Sequence, residues 1–191
     1  MKLEIIVQGL LFTAYKDYIG ARVLINNKLI IQGLTLASSA IEKYIKAYLV
    51  AVGKKPRWVH LDNVNELKKQ FGTAHIDVFN ALDPAFLSIL GKAYAYRYLD
   101  QKVEVDYIGV AINQFLAELD YIVDYFEEII EMYDPDTDLR IDSGYHMAVK
   151  AKEGNIIQNN FLHEGVTKRE FMERPMVLYS LRINPGKNLD E

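Results

Sequence analysis

Apolar residues recur at alternating steps of four and three along residues 104–132. Only a helix gathers such positions on one face and the polar positions on the other. At about 1.5 Å per residue, the segment predicts a helix about 40 Å long. The helix is expected to end at Asp134-Pro135-Asp136. The acidic rear of this helix is interpreted as a solvated face. Its polar residues are Gln114, Glu118, Asp124, Glu127, Glu128 and Glu131.

The same periodicity predicts a helix between Gly33 and Gly53, where the final glycine and Pro56 give a stop signal. Residues 13–26 favour a further helix, with a bend or kink at Asn26-Asn27. Residues 60–71 favour a shorter one. Asp83-Pro84 has the cap-and-proline pattern that opens a helix, which is expected to continue to about Leu99. Because the connections are short, we expect antiparallel neighbours.

The pattern changes after residue 134. Residues 145–151 and 156–161 favour strands joined by a turn at 153–155. Residues 167–170 suit a short capped helix, and residues 176–183 a strand. The sequence therefore predicts a mainly α protein. Residues 1–133 would form an antiparallel up-and-down bundle of four to five helices, and residues 134–191 a small α+β C-terminal extension.

Composition narrows the chemistry. The chain has 191 residues, is 50% hydrophobic, has a net charge of -4 and contains no cysteine. Disulfides and thiolate metal sites are excluded, and a reducing, cytoplasmic location is expected. No apolar run is long enough for a membrane span. The four histidines lack metal-ligand spacing, and phosphate-loop, zinc-protease and nucleophile-elbow motifs are absent. We therefore assign no catalytic residue, metal or cofactor.

One ordered pattern carries a family resemblance. Glu42 to Ala47 read E-K-x-x-K-A, His60-Leu61 follow, and Arg97-Tyr98 precede the late helix. Together with a tyrosine and alanine near residue 20, this order resembles the HEPN family over roughly residues 10 to 132. The resemblance implies a bacterial or archaeal helical bundle, often a homodimer. Such domains partner a separate nucleotidyltransferase in toxin–antitoxin pairs, bind nucleotides, or act as metal-independent ribonucleases.

The chain departs from the ribonuclease members of that family. Those members carry a histidine four to six residues after the arginine, whereas no histidine follows Arg97 before Val103. The stretch from Arg97 to Asp100 looks like the version in noncatalytic members. Without an imidazole, the usual acid–base group is missing. Arg140 and His146 offer the spacing elsewhere, but in a stretch that we interpret as loop and strand.

The candidate ligand site follows from the resemblance and from the residue types. Glu42, Lys46 and Arg97 would line a polar cleft and hold a phosphate, because a guanidinium binds phosphate bidentately. An intrahelical Glu42–Lys46 pair and a salt bridge of Arg97 to a nearby carboxylate are the structural alternatives. His60 could instead cap a helix, and Arg22 is expected in a partly buried ion pair. The full candidate set is Arg97, Lys46, Glu42, His60, Tyr98 and Asp100.

Three functions stay open at this point. The leading one is a noncatalytic module that binds a nucleotide or RNA, or that assists a separate nucleotidyltransferase. The second is a metal-independent ribonuclease using Arg97 with His60 or His146. The third is a structural role in which the C-terminal strands mediate oligomerisation. The missing histidine favours the noncatalytic function.

Overall fold

The computed structural model describes residues 3–55, 60–93, 96, 107–134, 136–137, 139–175 and 178–182, with backbone alone at 107, 108, 178, 179, 181 and 182. The described chain is mainly helical, as the sequence predicts. Its long helices form a bundle, and short helices with a two-stranded sheet complete it. None of the described helices combines the length and apolarity needed to cross a bilayer.

Two long helices form an N-terminal hairpin. Helix α1 (Leu3–Asn26) and helix α2 (Ile30–Ala51) pack along their length, joined at Lys28 with φ 72°. The break at residues 26–27 is confirmed, but α1 begins ten residues before the predicted start. Its apolar stripe continues there, because Val7 and Leu11 are buried. Gly53, with φ 77°, ends the second helix as predicted.

Three shorter helices follow: α3 (Val64–Phe71), α4 (Ile76–Asn80) and α5 (Pro84–Ala93). The Asp83 carboxylate accepts hydrogen bonds from the first turn of α5, which confirms the predicted cap. The predicted continuation to Leu99 lies outside the described residues. Gly91 lets α5 pack closely against the backbone at Asp62, since a Cβ on Gly91 would lie 2.5 Å from the Asp62 backbone nitrogen.

The predicted helix over residues 104–132 is wrong in its first part. Residues Tyr107–Ala111 form strand β1, and helix α6 spans Ile112–Ile129. Strand β1 pairs antiparallel with β2 (Leu178–Arg182), so a distant segment supplies the hydrogen bonds that override the helical spacing. The helix is therefore about 27 Å long. Its buried face, including Leu116, Leu119 and Phe126, contributes to the main core with α1 and α2.

The C-terminal segment is more helical than its sequence suggests. The predicted strand at 145–151 is wrong, because α7 (Gly144–Lys150) begins at a Ser143 cap and buries Tyr145 and Ala148. The predicted strand at 156–161 is wrong as well. Helix α8 (Gly154–Ile157) and a 3-10 turn at 161–163 occupy that stretch, and the predicted turn at 153–155 is the start of α8. The capped helix α9 (Lys168–Met172) and strand β2 are confirmed.

Candidate functional site

Two of the sequence-predicted ligand residues meet at the C-terminal half of α2. The Glu42 Oε1 lies 3.5 Å from His60 Nδ1, on the segment that leads into α3. The backbone of the buried Leu61 also bonds to this carboxylate. Partial burial raises the pKa of Glu42, while Lys46, His60 and the Leu61 bond act in the opposite direction. Glu42 thus contacts both His60 and the backbone of Leu61, while His60 itself is largely exposed.

Lys46 lies one helical turn after Glu42 and is half-buried. Among the described residues, no carboxylate lies within ion-pair distance of its ammonium group, so the predicted Glu42–Lys46 pair does not close. Its neighbour Lys43 differs, because its Nζ lies 2.6 Å from Asp17 Oδ2. The other three candidates, Arg97, Tyr98 and Asp100, lie outside the described residues.

Charge is divided unevenly along the chain. Residues 42–72 carry seven Lys and Arg against three Asp and Glu, whereas residues 118–142 carry ten acidic residues and one basic residue. The basic stretch includes α3, beside which an open groove of about 670 Å³ is found. Its lining is polar and basic in part: Asn65, Lys68, Lys69, Gly72, Thr73 and Ile76. The mildly acidic total charge of the chain therefore conceals a stretch with an excess of basic residues.

A second polar cluster, on α6, is buried and was not expected from the sequence. Three carboxylates at steps of four and three each accept a tyrosine hydroxyl from a different helix. Tyr18 of α1 donates to Asp120 at 2.8 Å, Tyr145 of α7 to Asp124 at 2.8 Å, and Tyr44 of α2 to Glu127 at 2.6 Å. We call these six residues the tyrosine–carboxylate ladder. The prediction that the acidic face of this helix is solvated is wrong at Glu127, whose side chain is 1% exposed.

Arg22 completes the ladder at one end. Its Nη1 donates to Asp120 Oδ1, and both side chains are fully buried. Its Nε and Nη2 donate to the backbone carbonyls of Asn155 and Gln158, at 3.0 and 2.6 Å. The ion pair predicted for Arg22 is present, but it is fully buried and not partly buried as predicted. It links α1 to α6, and the bonds to the two carbonyls link α1 to α8 and to the residue that follows it. Burial raises the pKa of Asp120, and the Arg22 guanidinium opposes this shift.

His146 lies at the other end of the ladder. Its Nδ1 is 3.1 Å from Ser143 Oγ and 4.0 Å from Glu127 Oε2, and its Nε2 is 3.6 Å from Glu128 Oε1. Serine and the buried carboxylate therefore face the same imidazole nitrogen, whereas a catalytic triad needs them on opposite nitrogens. The Ser143 hydroxyl also caps α7 by accepting from the His146 backbone N–H. This arrangement orders the helix and does not activate the serine.

A pocket of about 220 Å³ opens beside His146, and Arg140 contributes to its lining. The structure thus brings together the arginine and histidine that are six positions apart in the sequence. His146 lies on a helix and not on the predicted strand. Glu128 and Asp142 line the same pocket, and Arg140 Nη1 lies 3.3 Å from Glu131 Oε1.

The described residues contain no group of three or more His, Asp or Glu that could hold a metal ion. No protein-family model matches the chain, and neither the curated proteins nor the solved structures include a significant match to it.

Proposed function

We propose that the protein is a noncatalytic binding module that holds the phosphate groups of a nucleotide or RNA. The phosphates would bind at the C-terminal half of α2 and the segment that leads into α3, around Lys46 and His60, which we call the α2–α3 face. The observation that carries this proposal is Lys46, a half-buried cation whose charge acts on Glu42 but which has no described carboxylate within ion-pair distance. A partly desolvated ammonium bonds more strongly to an anion than one in bulk water. His60, whose Nδ1 lies 3.5 Å from Glu42 Oε1, would be an additional donor for a phosphate oxygen.

Two further features support this face. It belongs to the basic stretch of the chain, which attracts polyanions over distances of a Debye length. It also carries the E-K-x-x-K-A pattern of the HEPN resemblance, and Arg97 is the residue by which that resemblance would complete the phosphate site. The same resemblance makes a separate nucleotidyltransferase the expected protein partner, with which the module would present a substrate.

Calorimetric titration with ATP and with a short single-stranded RNA tests the proposal. The wild type should show saturable binding that weakens as salt is added. Lys46→Ala should weaken binding about 10- to 100-fold, because a hydrogen bond to a charged group contributes about 1.5–3 kcal/mol. Lys92→Ala, which removes an exposed lysine from α5, is the matched control and should bind like the wild type.

Arg97→Ala forms a separate arm that tests the family resemblance. Loss of binding in both Lys46→Ala and Arg97→Ala would support one shared site. Equal affinity of the Lys46 and Lys92 variants, or no saturable binding by the wild type, would refute the α2–α3 site.

A metal-independent ribonuclease is the second candidate, because Arg140 and His146 line one pocket. In that function His146 would remove the ribose 2′-hydroxyl proton and Arg140 would bind the scissile phosphate. We would then expect cleavage of RNA in the presence of a chelator, lost in His146→Ala and retained in His60→Ala. An inert wild type over a panel of RNAs would exclude this activity.

A further inference from the structure

A pocket lies at one end of the bundle, where α1 begins and where α2 and α6 end. Its volume is about 330 Å³, at the lower end of the range found for small-molecule sites. We call it the end pocket. Most of its wall is apolar and comes from these three helices and from the loop after α6: Val7, Ala51, Val52, Ile129, Ile130 and Met132.

The end pocket is distinct from the two sites considered above. Tyr48 lines it and follows Lys46 on α2 by two residues, which is a turn of about 200° around the helix. The two side chains therefore leave α2 in nearly opposite directions. The pocket beside His146 shares Ile130 and Met132 with the end pocket, but none of its charged residues.

The polar side chains of the end pocket already use their donors within the protein. Gln8 Nε2 donates to the Tyr133 carbonyl at 2.8 Å, and the Tyr133 hydroxyl donates to Glu131 at 2.7 Å. The Tyr48 hydroxyl shares a hydrogen bond of 2.9 Å with His75 Nδ1. A ligand that accepts hydrogen bonds, such as a carboxylate, would have to compete with these acceptors.

The charged side chains of the end pocket are acidic. Glu4 and Glu131 line it, and none of its described lining residues is Lys, Arg or His. Arg140 Nη1 lies 3.3 Å from Glu131 Oε1, so that carboxylate has a counter-ion. Glu4 is exposed, and no described cation lies within ion-pair distance of it. Its carboxylate is thus the acceptor that a ligand can engage.

The helix ends at the pocket add negative partial charge. Both α2 and α6 direct their C-termini toward it, and neither carries a basic residue in its last turn. Lys54, just beyond α2, donates to the carbonyls of Gln70 and Phe71 instead. The N-terminus of α1 has the opposite partial charge, which Glu4 in its first turn offsets.

We propose that the end pocket binds a small organic cation, an amine that carries an apolar chain or ring. The apolar part packs against the wall that includes Val7, Val52 and Met132, and the ammonium group donates to Glu4 at the rim. The rings of Tyr48 and Tyr133 also line the pocket, and aromatic faces attract ammonium groups.

Two-dimensional amide NMR spectra recorded with three matched probes test the proposal. Hexylamine, hexanol and hexanoate share the same apolar chain, and at neutral pH they are a cation, a neutral molecule and an anion. Hexylamine should shift the amide signals of Val7, Val52 and Ile130, with a dissociation constant on the order of 1 mM for so small a ligand. Hexanol should bind about fivefold more weakly, because an exposed ion pair adds only a modest attraction, and hexanoate should bind least.

Substitutions at Glu4 test the origin of the selectivity. Glu4→Gln should weaken hexylamine binding about fivefold and leave hexanol binding unchanged. Glu153→Gln, which removes an exposed carboxylate outside the pocket, is the matched control and should behave like the wild type. Glu4→Lys should reverse the preference, so that hexanoate binds better than hexylamine. Ala51→Phe fills the pocket from an exposed position and should prevent binding of all three probes.

Three outcomes would overturn the proposal. One is hexylamine that shifts no signal of the end pocket, or shifts signals elsewhere instead. The second is equal affinity of the wild type for hexylamine and hexanol. The third is an equal effect of Glu4→Gln and Glu153→Gln. Lys46→Ala should bind hexylamine like the wild type, so the outcome is independent of phosphate binding at the α2–α3 face. The same spectra show whether each variant is folded.

Discussion

Arg22 and Lys46 are both cations on the N-terminal hairpin, yet the protein treats them differently. Arg22 is fully buried and donates from all three guanidinium nitrogens to Asp120 and to backbone carbonyls. Lys46 is half-buried, and none of the described carboxylates pairs with it. A fully buried charge must find its partners inside the protein, because water cannot reach it. A half-buried charge can leave that place to a ligand, which is the role that the proposed function gives to Lys46.

The largest expected effect on stability comes from replacing Arg22, the fully buried cation. Arg22→Met should lower the free energy of unfolding by about 3–5 kcal/mol, because it leaves Asp120 buried without its counter-ion. The carbonyls of Asn155 and Gln158 also lose their donor. Urea unfolding followed by circular dichroism measures the change. A loss below about 1 kcal/mol would contradict the structural role.

The tyrosine–carboxylate ladder should respond less strongly, and unevenly. Tyr18→Phe and Tyr44→Phe should each cost about 1–3 kcal/mol, since each removes a donor from a fully buried carboxylate. Tyr145→Phe should cost less, because Asp124 is only half-buried and water can replace the hydroxyl. Tyr133→Phe, which removes a surface hydrogen bond to Glu131, is the matched control. Equal effects at all four positions would refute the ladder as a buried network.

A smaller effect should appear as pH dependence. Burial raises the pKa of Glu127, while the Ser143 and Tyr44 hydroxyls and His146 oppose the shift. The folded state then binds the Glu127 proton more tightly than the unfolded chain does. Its contribution to stability is fully present below the unfolded pKa of about 4.3 and is lost as pH rises through the folded pKa.

Glu127→Gln removes this titration and keeps an oxygen that can accept from Tyr44. We expect the free energy of unfolding of the wild type to fall more steeply with rising pH than that of the variant. Urea titrations at a series of pH values above 4 give both slopes. Identical slopes would contradict a raised pKa at Glu127.

The smallest expected effect on stability comes from replacing Lys46, the half-buried cation. Lys46→Ala should change the free energy of unfolding by less than about 0.5 kcal/mol, because the ammonium holds no described carboxylate in place. Its effect should appear in nucleotide or RNA affinity instead. A strongly destabilised Lys46→Ala protein would assign the lysine to the fold, and the same urea titration decides this.

Periodicity predicts the helices that contribute most to the core. Leu34, Ile41 and Phe126 lie where the three-four spacing places them, because burial on one face is a local property of a helix. Strand β1 could not be predicted in the same way. Its hydrogen bonds come from residues about 70 positions later, and a local pattern contains no information about that pairing.

The two polar clusters could also be predicted from the sequence only in part. Asp120 lies among the apolar positions of α6, which is a readable sign that a charge there has a buried partner. The sequence also indicates that Arg22 belongs to an ion pair, but it does not show that the two belong together. The HEPN resemblance predicts Glu42, Lys46 and His60 as candidate ligand residues. Their geometry depends on how the segment before α3 returns to α2, which no local spacing encodes.

The positions of the backbone acceptors of Arg22 along the sequence also determine when the protein can complete its fold during synthesis. Asn155, Gln158 and Asn159 follow Arg22 by 133, 136 and 137 residues. A ribosome that adds roughly 5–20 residues per second needs roughly 7–27 s to make that interval. During this time the guanidinium must stay hydrated, because burying it early would leave it without those carbonyls. The N-terminal hairpin can form its helices as it is synthesised, but its final packing has to wait for α8.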